Sequence, residues 1–148
     1  MTAVDAARGL AQVPARASLS VLSTPDCTIA VLEGDLDIAT TPALRERLLG
    51  VLGLAARLLI IDLAGVSFCD VAALGMLIGT QRRASGRGIT VRLAAPRPQM
   101  ARLLRTTGLD RSFTICATVD DALPAQGDGP PAAASPWPAE ARPATRGT

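Results

Sequence analysis

Apolar residues fall in short runs punctuated by Gly, Pro, Asp and Thr, and the period of the runs changes along the chain. Ser18–Ser23 (SLSVLS) alternates weakly and Cys27–Leu32 (CTIAVL) is β-rich. With the Pro25-Asp26 turn between them, they predict a hairpin whose first strand lies at a sheet edge. Glu33-Gly34-Asp35-Leu36-Asp37 is expected to leave the strand. Thr41 then offers an N-cap and Pro42 a first helical residue. Leu44, Leu48, Leu49 and Leu52 follow at helical spacing, and Gly53 ends the element. Arg57–Leu63 (RLLIIDL) is too apolar to be half exposed, which predicts a central strand covered on both faces. A turn at Ala64-Gly65 leads to Phe68-Cys69-Asp70. Asp70 stands where the first N–H groups of a helix over Val71–Ser85 need an acceptor, and Gly86 and Gly88 close that helix. Ile89–Ala94 predicts another strand. Pro98 opens a helix stopping at Thr107-Gly108, Phe113–Cys116 gives a last short strand, and Val119–Leu123 a closing helix.

Hairpin strands followed by helix–strand repeats predict an α/β domain with a mixed sheet. Residues 1–16 lack any period and read as a disordered leader. The domain spans 17–123. From 124 to 148 the composition shifts to Pro, Ala and Gly, which cannot bury enough apolar surface to offset its ordering entropy, so this is read as a disordered tail. Trp137 is an incidental apolar residue within it.

Composition narrows the chemistry. Hydrophobic residues make up 49% of the chain but aromatics only 2%, so the core must be built from Leu, Val, Ile and Ala. All 15 basic residues are Arg, and there is no Lys, His or Tyr. Without His, triad mechanisms of the Ser-His-Asp or Cys-His type are impossible within the chain. Cys27, Cys69 and Cys116 are far apart and lack metal-ligand spacing, so they read as small buried hydrophobes in a reducing cytosol. No run reaches the ~18–20 apolar residues of a membrane span, nor is there a signal-peptide pattern; a soluble, cytoplasmic protein is expected.

The remaining motifs are weak as catalytic sites. Asp35 and Asp37 in GDLD could pair on a metal or act as acid and base, but no third ligand is near and a solvated loop explains them equally well. The glycines at 75, 79, 86 and 88 form no phosphate-binding pattern. Acids outnumber arginines seven to three between Asp26 and Asp70, whereas Arg82–Arg111 holds eight arginines and one acid. Without interleaved aromatics that basic stretch offers no stacking platform, so nucleic acid is not an expected partner, and solvated helix faces account for it. No enzyme activity or cofactor is expected.

The helix after Asp70 is more informative. At 100° per residue Leu74, Leu77, Ile78 and Gln81 share one side, with Val71 at its margin, and form the expected core face. Ala72, Met76, Gly79 and Arg83 share the other, an outward stripe of small residues and Met that suits a docking surface.

The segments EGDLDIATTPALRERL (Glu33–Leu48), LLIIDLAGVSFCDVAALGML (Leu58–Leu77), GITVRLAAP (Gly88–Pro96) and LLRTTGLDRSFTICATVDDAL (Leu103–Leu123), in this order and spacing, resemble the anti-sigma factor antagonists built on the STAS domain. The resemblance implies a mixed sheet of four to five strands with helices packed mainly on one side. It also implies a partner, an anti-sigma factor with a histidine-kinase-like ATPase fold, whose capture releases a sigma factor. The family carries a phosphorylatable Ser or Thr just after the Asp, in a motif similar to D-x-[ST]-G-L. Asp70 and Leu74-Gly75 match that motif, but Val71 and Ala72 occupy the hydroxyl positions and Ala73 the usual Gly. Neither Val nor Ala accepts phosphate, so the off-switch is expected to be lost. The expected contact surface joins Asp35, Asp37 and Thr40 to the helix start (Asp70, Val71, Ala72, Ala73 and Gly75) and to the stripe of Met76, Gly79 and Arg83. A monomer or weak dimer is expected. The alternative is an unphosphorylated STAS scaffold or accessory subunit in a transport or signalling complex.

Overall fold

The computed structural model describes residues 16–124. The leader and tail, with Trp137, lie outside the described residues except for Arg16 and Pro124. Five strands, β1 (Ala17–Ser23), β2 (Thr28–Leu36), β3 (Leu58–Cys69), β4 (Thr90–Ala94) and β5 (Thr114–Cys116), form one sheet in the order β1-β2-β3-β4-β5. β1 and β2 are the antiparallel hairpin expected, and the other pairings are parallel. Four helices connect and flank them: α1 (Thr41–Leu54), α2 (Val71–Gly86), α3 (Pro98–Thr106) and α4 (Val119–Ala122).

The strand alternation sorts the core into two faces. Leu59, Ile61 and Leu63 of β3 join Ala30 and Leu32 of β2 and Leu93 of β4 on one face. There they pack against Leu44 and Leu48 of α1, Leu74 and Leu77 of α2, and Met100 and Leu104 of α3. Leu58 and Ile60 point to the other face with Cys27 and Ala94, where Ala122 of α4 covers them. Both faces of β3 are therefore dry, as its unbroken apolar run requires. Among the described residues the helices lie mainly on one side, with only the short α4 on the second.

Three expectations need correction. Thr41 is not the N-cap of α1 but its first residue, and Thr40 stands at the cap. Glu33–Leu36 do not leave the strand, because β2 continues to Leu36. Ala64-Gly65 do not turn, because β3 runs through to Cys69. Its register against β2 slips by one residue twice, from Val31↔Asp62 to Glu33↔Gly65 and from Gly34↔Val66 to Asp35↔Phe68. At the first slip the Ala64 N–H bonds to the Asp62 carboxylate (3.0 Å). Bulges of this kind carry an extra residue without ending the pairing. A Cβ at Gly65 would lie 2.7 Å from Glu33 Cγ, so the exposed Glu33 side chain would have to move to admit one. Gly34 is required by the backbone itself. Its φ is +93°, and a Cβ would collide with the Arg16 carbonyl oxygen.

Candidate functional site

The parallel strands β2 and β3 end side by side, Leu36 opposite Cys69, and the chain leaves both at one end of the sheet. Three sets of hydrogen bonds fix this end. The Asp70 N–H donates to the Leu36 carbonyl (3.1 Å), and its Oδ1 accepts from the Ala72 N–H (2.8 Å), which makes Asp70 the N-cap of α2 as its sequence position predicts. Gln99, at the start of α3, grips the Cys69 peptide from both sides. Its Oε1 accepts from the Cys69 N–H (3.3 Å) and its Nε2 donates to the Cys69 carbonyl (3.2 Å). The third set lies in the loop after β2. The Thr40 hydroxyl accepts from the Asp37 N–H (2.9 Å) and donates to the Asp35 carbonyl (2.8 Å), while Asp37 Oδ1 accepts from the N–H groups of Ala39 (2.9 Å) and Thr40 (3.1 Å). Arg16 closes the loop with a forked contact to Asp37, at 2.9 and 3.3 Å. Burial on its own would raise the Asp37 carboxyl, but the two N–H groups and the Arg16 guanidinium outweigh it and hold it below the usual carboxylate value.

These bonds divide the expected site residues. Thr40 is fully buried and acts as an internal latch of the loop. Asp35, Asp37 and Asp70 are half-buried, Ala72 and Gly79 likewise, and Val71, Gly75 and Arg83 are exposed. Ala73 and Met76 are buried. The outward stripe is thus mistaken at Met76, and the core face is mistaken at Val71, which is 70% exposed. The buried side of α2 is Ala73, Leu74, Met76, Leu77, Thr80 and Ala84. Small residues as well as Leu face the sheet, and the Thr80 hydroxyl bonds back to the Met76 carbonyl (2.9 Å), so a wheel drawn from Leu alone is turned from the true one. Gln81 lies at the flank, donating to the Ser112 carbonyl (2.7 Å).

Three large apolar side chains reach solvent at this end. Val71, Ile38 (77% exposed) and Phe68 (44% exposed) border the ends of β2, β3 and α2. A Cβ at Gly75 or Gly79 would meet nothing within 4 Å, so internal packing does not demand those glycines. Ile38 and Phe68 were not foreseen; Phe68 faces out because the second bulge shifts the alternation just before it. Among the described residues no three Cys, Asp or Glu side chains group as a metal site, and no helix is long and apolar enough to cross a membrane. A shallow hollow of about 410 Å³ lined by Leu52, Gly53, Arg57 and Arg87 lies at the opposite end of the strands.

A family model of the STAS domain matches residues 18–122. The chain belongs to the STAS domain family. The anti-sigma-F factor antagonist RsfB of Mycobacterium tuberculosis is 30% identical over 108 residues, covering 72% of this chain and 88% of RsfB. Rv2638 of the same organism is 38% identical over 65 residues, a match that spans 44% of either chain. The crystal structure of an anti-sigma factor antagonist from Mycobacterium paratuberculosis superposes with a TM-score of 0.67 at 28% identity, over 72% of this chain and 90% of that one. The five-strand mixed sheet with four helices is the fold these STAS proteins share.

Proposed function

We propose that this STAS protein is an anti-sigma factor antagonist that binds a kinase-type anti-sigma factor through the end of the sheet built by Asp35, Asp37, Ile38, Phe68 and the first turns of α2. Names of relatives such as RsfB support the general role. The observation that carries the docking surface is the capped start of α2, where Asp70 fixes the helix and Val71 is left 70% exposed beside Ile38 and Phe68. Apolar residues held out of the core by a rigid scaffold are what a partner interface uses. Ala72, Gly75 and Gly79 bring no bulky side chain to the surface, and Arg83 lies on the same side of α2 one turn beyond Gly79; Ala73 and Met76 support it from below.

Val71 and Ala72 also decide the regulation in this reading. A phosphate at the helix start would bring nearly two negative charges onto an apolar contact and oppose docking. Val and Ala carry no hydroxyl, so binding proceeds without that control. The test is Val71→Glu, which places one permanent charge at the same point. A carboxylate in the first helical turn suits the helix dipole, so the fold should be unharmed. Calorimetry against the anti-sigma factor should show at least tenfold weaker binding; unchanged affinity would remove this end as the dock. In parallel, incubating the wild-type chain with that kinase and ATP should add no phosphate to residues 70–76 by peptide mass.

A further inference from the structure

The second face of the sheet buries a positive charge that no described carboxylate answers. Arg92 on β4 is only 5% exposed and pairs in register with Ile60, so its side chain lies on the face that α4 covers. Its Nη1 donates to the Ala122 carbonyl at the end of α4 (2.6 Å), while among the described residues its Nε is buried with no acceptor. Burial pulls the Arg92 pKa down, and Cys116, then Cys27, are the neighbours whose ionised sulfur would pull it back up. The register explains the first neighbour: Cys116 of β5 pairs with Ala94, two residues along β4 on the same face, a diagonal that a long side chain spans. The apolar side chains packed here include Ile29, Leu58, Ile60, Val119 and Leu123. Of the carboxylates around this face, Asp26 beside Cys27 and Asp120 and Asp121 on α4 are exposed to water, while Asp62 of β3, in register with Ala94 on the same face, is half-buried and accepts from the Ala64 N–H (3.0 Å).

An arginine keeps its proton at any working pH, and leaving it buried without an anion is costly. A thiolate can supply that anion, and a cation beside a cysteine favours thiolate over thiol. Cys27 is 1% exposed and out of reach of reagents, whereas Cys116 is half-exposed on the edge strand. We propose that Arg92 holds Cys116 as a thiolate and that Cys116 is a site of covalent modification by electrophiles, hydroperoxides included. This site is separate from the proposed dock and stands whether or not that reading holds. With an alkyl iodide, the sulfur forms an S–C bond, the C–I bond breaks and iodide leaves with the bonding pair. With a hydroperoxide, the sulfur attacks the terminal oxygen, the O–O bond breaks with its pair going to the leaving hydroxide or alkoxide, and that group takes up, through solvent, the proton that the new sulfenic acid loses. The sulfur is then oxidised by two electrons to a sulfenate, which can keep its charge beside Arg92, and the peroxide is reduced by the same two.

The experiment treats the full reduced chain with iodoacetamide across a pH series and quantifies the peptides holding Cys27, Cys69 and Cys116. The same chain unfolded in urea is the reference. Native Cys116 should show a modification midpoint at least one pH unit below its unfolded value, equivalent to tenfold more thiolate well below both midpoints. Cys69 is the internal contrast, because burial and the neighbouring Asp70 push its thiol up. A smaller displacement, or no modification of native Cys116 at any pH, overturns the proposal. Arg92→Met should return the midpoint to the unfolded value, and a folded variant that keeps the low midpoint overturns the role of Arg92. Should that variant fail to fold, the wild-type profile decides alone.

Discussion

Asp37 shows how much a single side chain can organise. Its carboxylate accepts two backbone N–H groups and the Arg16 guanidinium, which together set the shape of the loop beside α2. Because its pKa is lowered from the ordinary 3.8, folding favours the ionised form. Its contribution is complete above the ordinary value and is lost as the pH falls through the lowered folded value. The side-chain carbonyl carbon of Asp37 should therefore titrate below 3.8 by NMR, and Arg16→Ala should move that midpoint upward. An unmoved midpoint would mean that water screens the ion pair. The carboxylate was legible in GDLD, but its partners only in part. Ala39 and Thr40 are local, whereas Arg16 sits 21 positions away at the end of a stretch without pattern. Gln99 was missed for the same reason, since its contact to Cys69 spans 30 positions. A lone polar residue at the first turn of a helix gives no signal of what it will grip.

At the scale of elements, local chemistry located most boundaries and misjudged two continuities. Asp70 was readable as a cap because its role depends on the next two residues alone. The bulged part of β3 was not, because Ala-Gly is a turn signal until a neighbouring strand supplies partners for it. The rotation of α2 failed similarly: a helix packed against both the sheet and α1 buries a wide face, and hydrophobicity does not rank Met76 above Val71. Truncation separates the two readings. Met76→Ala should cost about 2–5 kcal/mol in urea unfolding, as a buried Met does. Val71→Ala should stay within about 0.5 kcal/mol, as at exposed positions. Equal costs would return Met76 to the surface and restore the outward stripe.

At the scale of the whole fold, the described residues are asymmetric about the sheet. One face carries three helices and a continuous cluster from Ala17 to Ile115; the other carries α4 over Cys27, Leu58, Ile60 and Ala94. The two classes of face were implicit in the apolar run of β3, but their unequal cover depends on how few apolar residues the last helix holds. Leu36, Cys69 and Ala73 belong to the larger cluster, so the proposed docking end rests on the better-buried half of the fold. Regions with fewer buried contacts open at lower free energy than the whole. Native-state hydrogen exchange should accordingly find the Ile61 amide exchanging only through global unfolding. The Leu123 amide, bonded to Val119 and Asp120 within α4, should exchange through a local opening at a fraction of that free energy. Substituting Arg92 by Met removes the bond to Ala122, and it should lower protection at Leu123 more than at Ile61. Equal protection at the two amides would show instead that both faces unfold as one unit, with α4 as firmly held as the helices opposite.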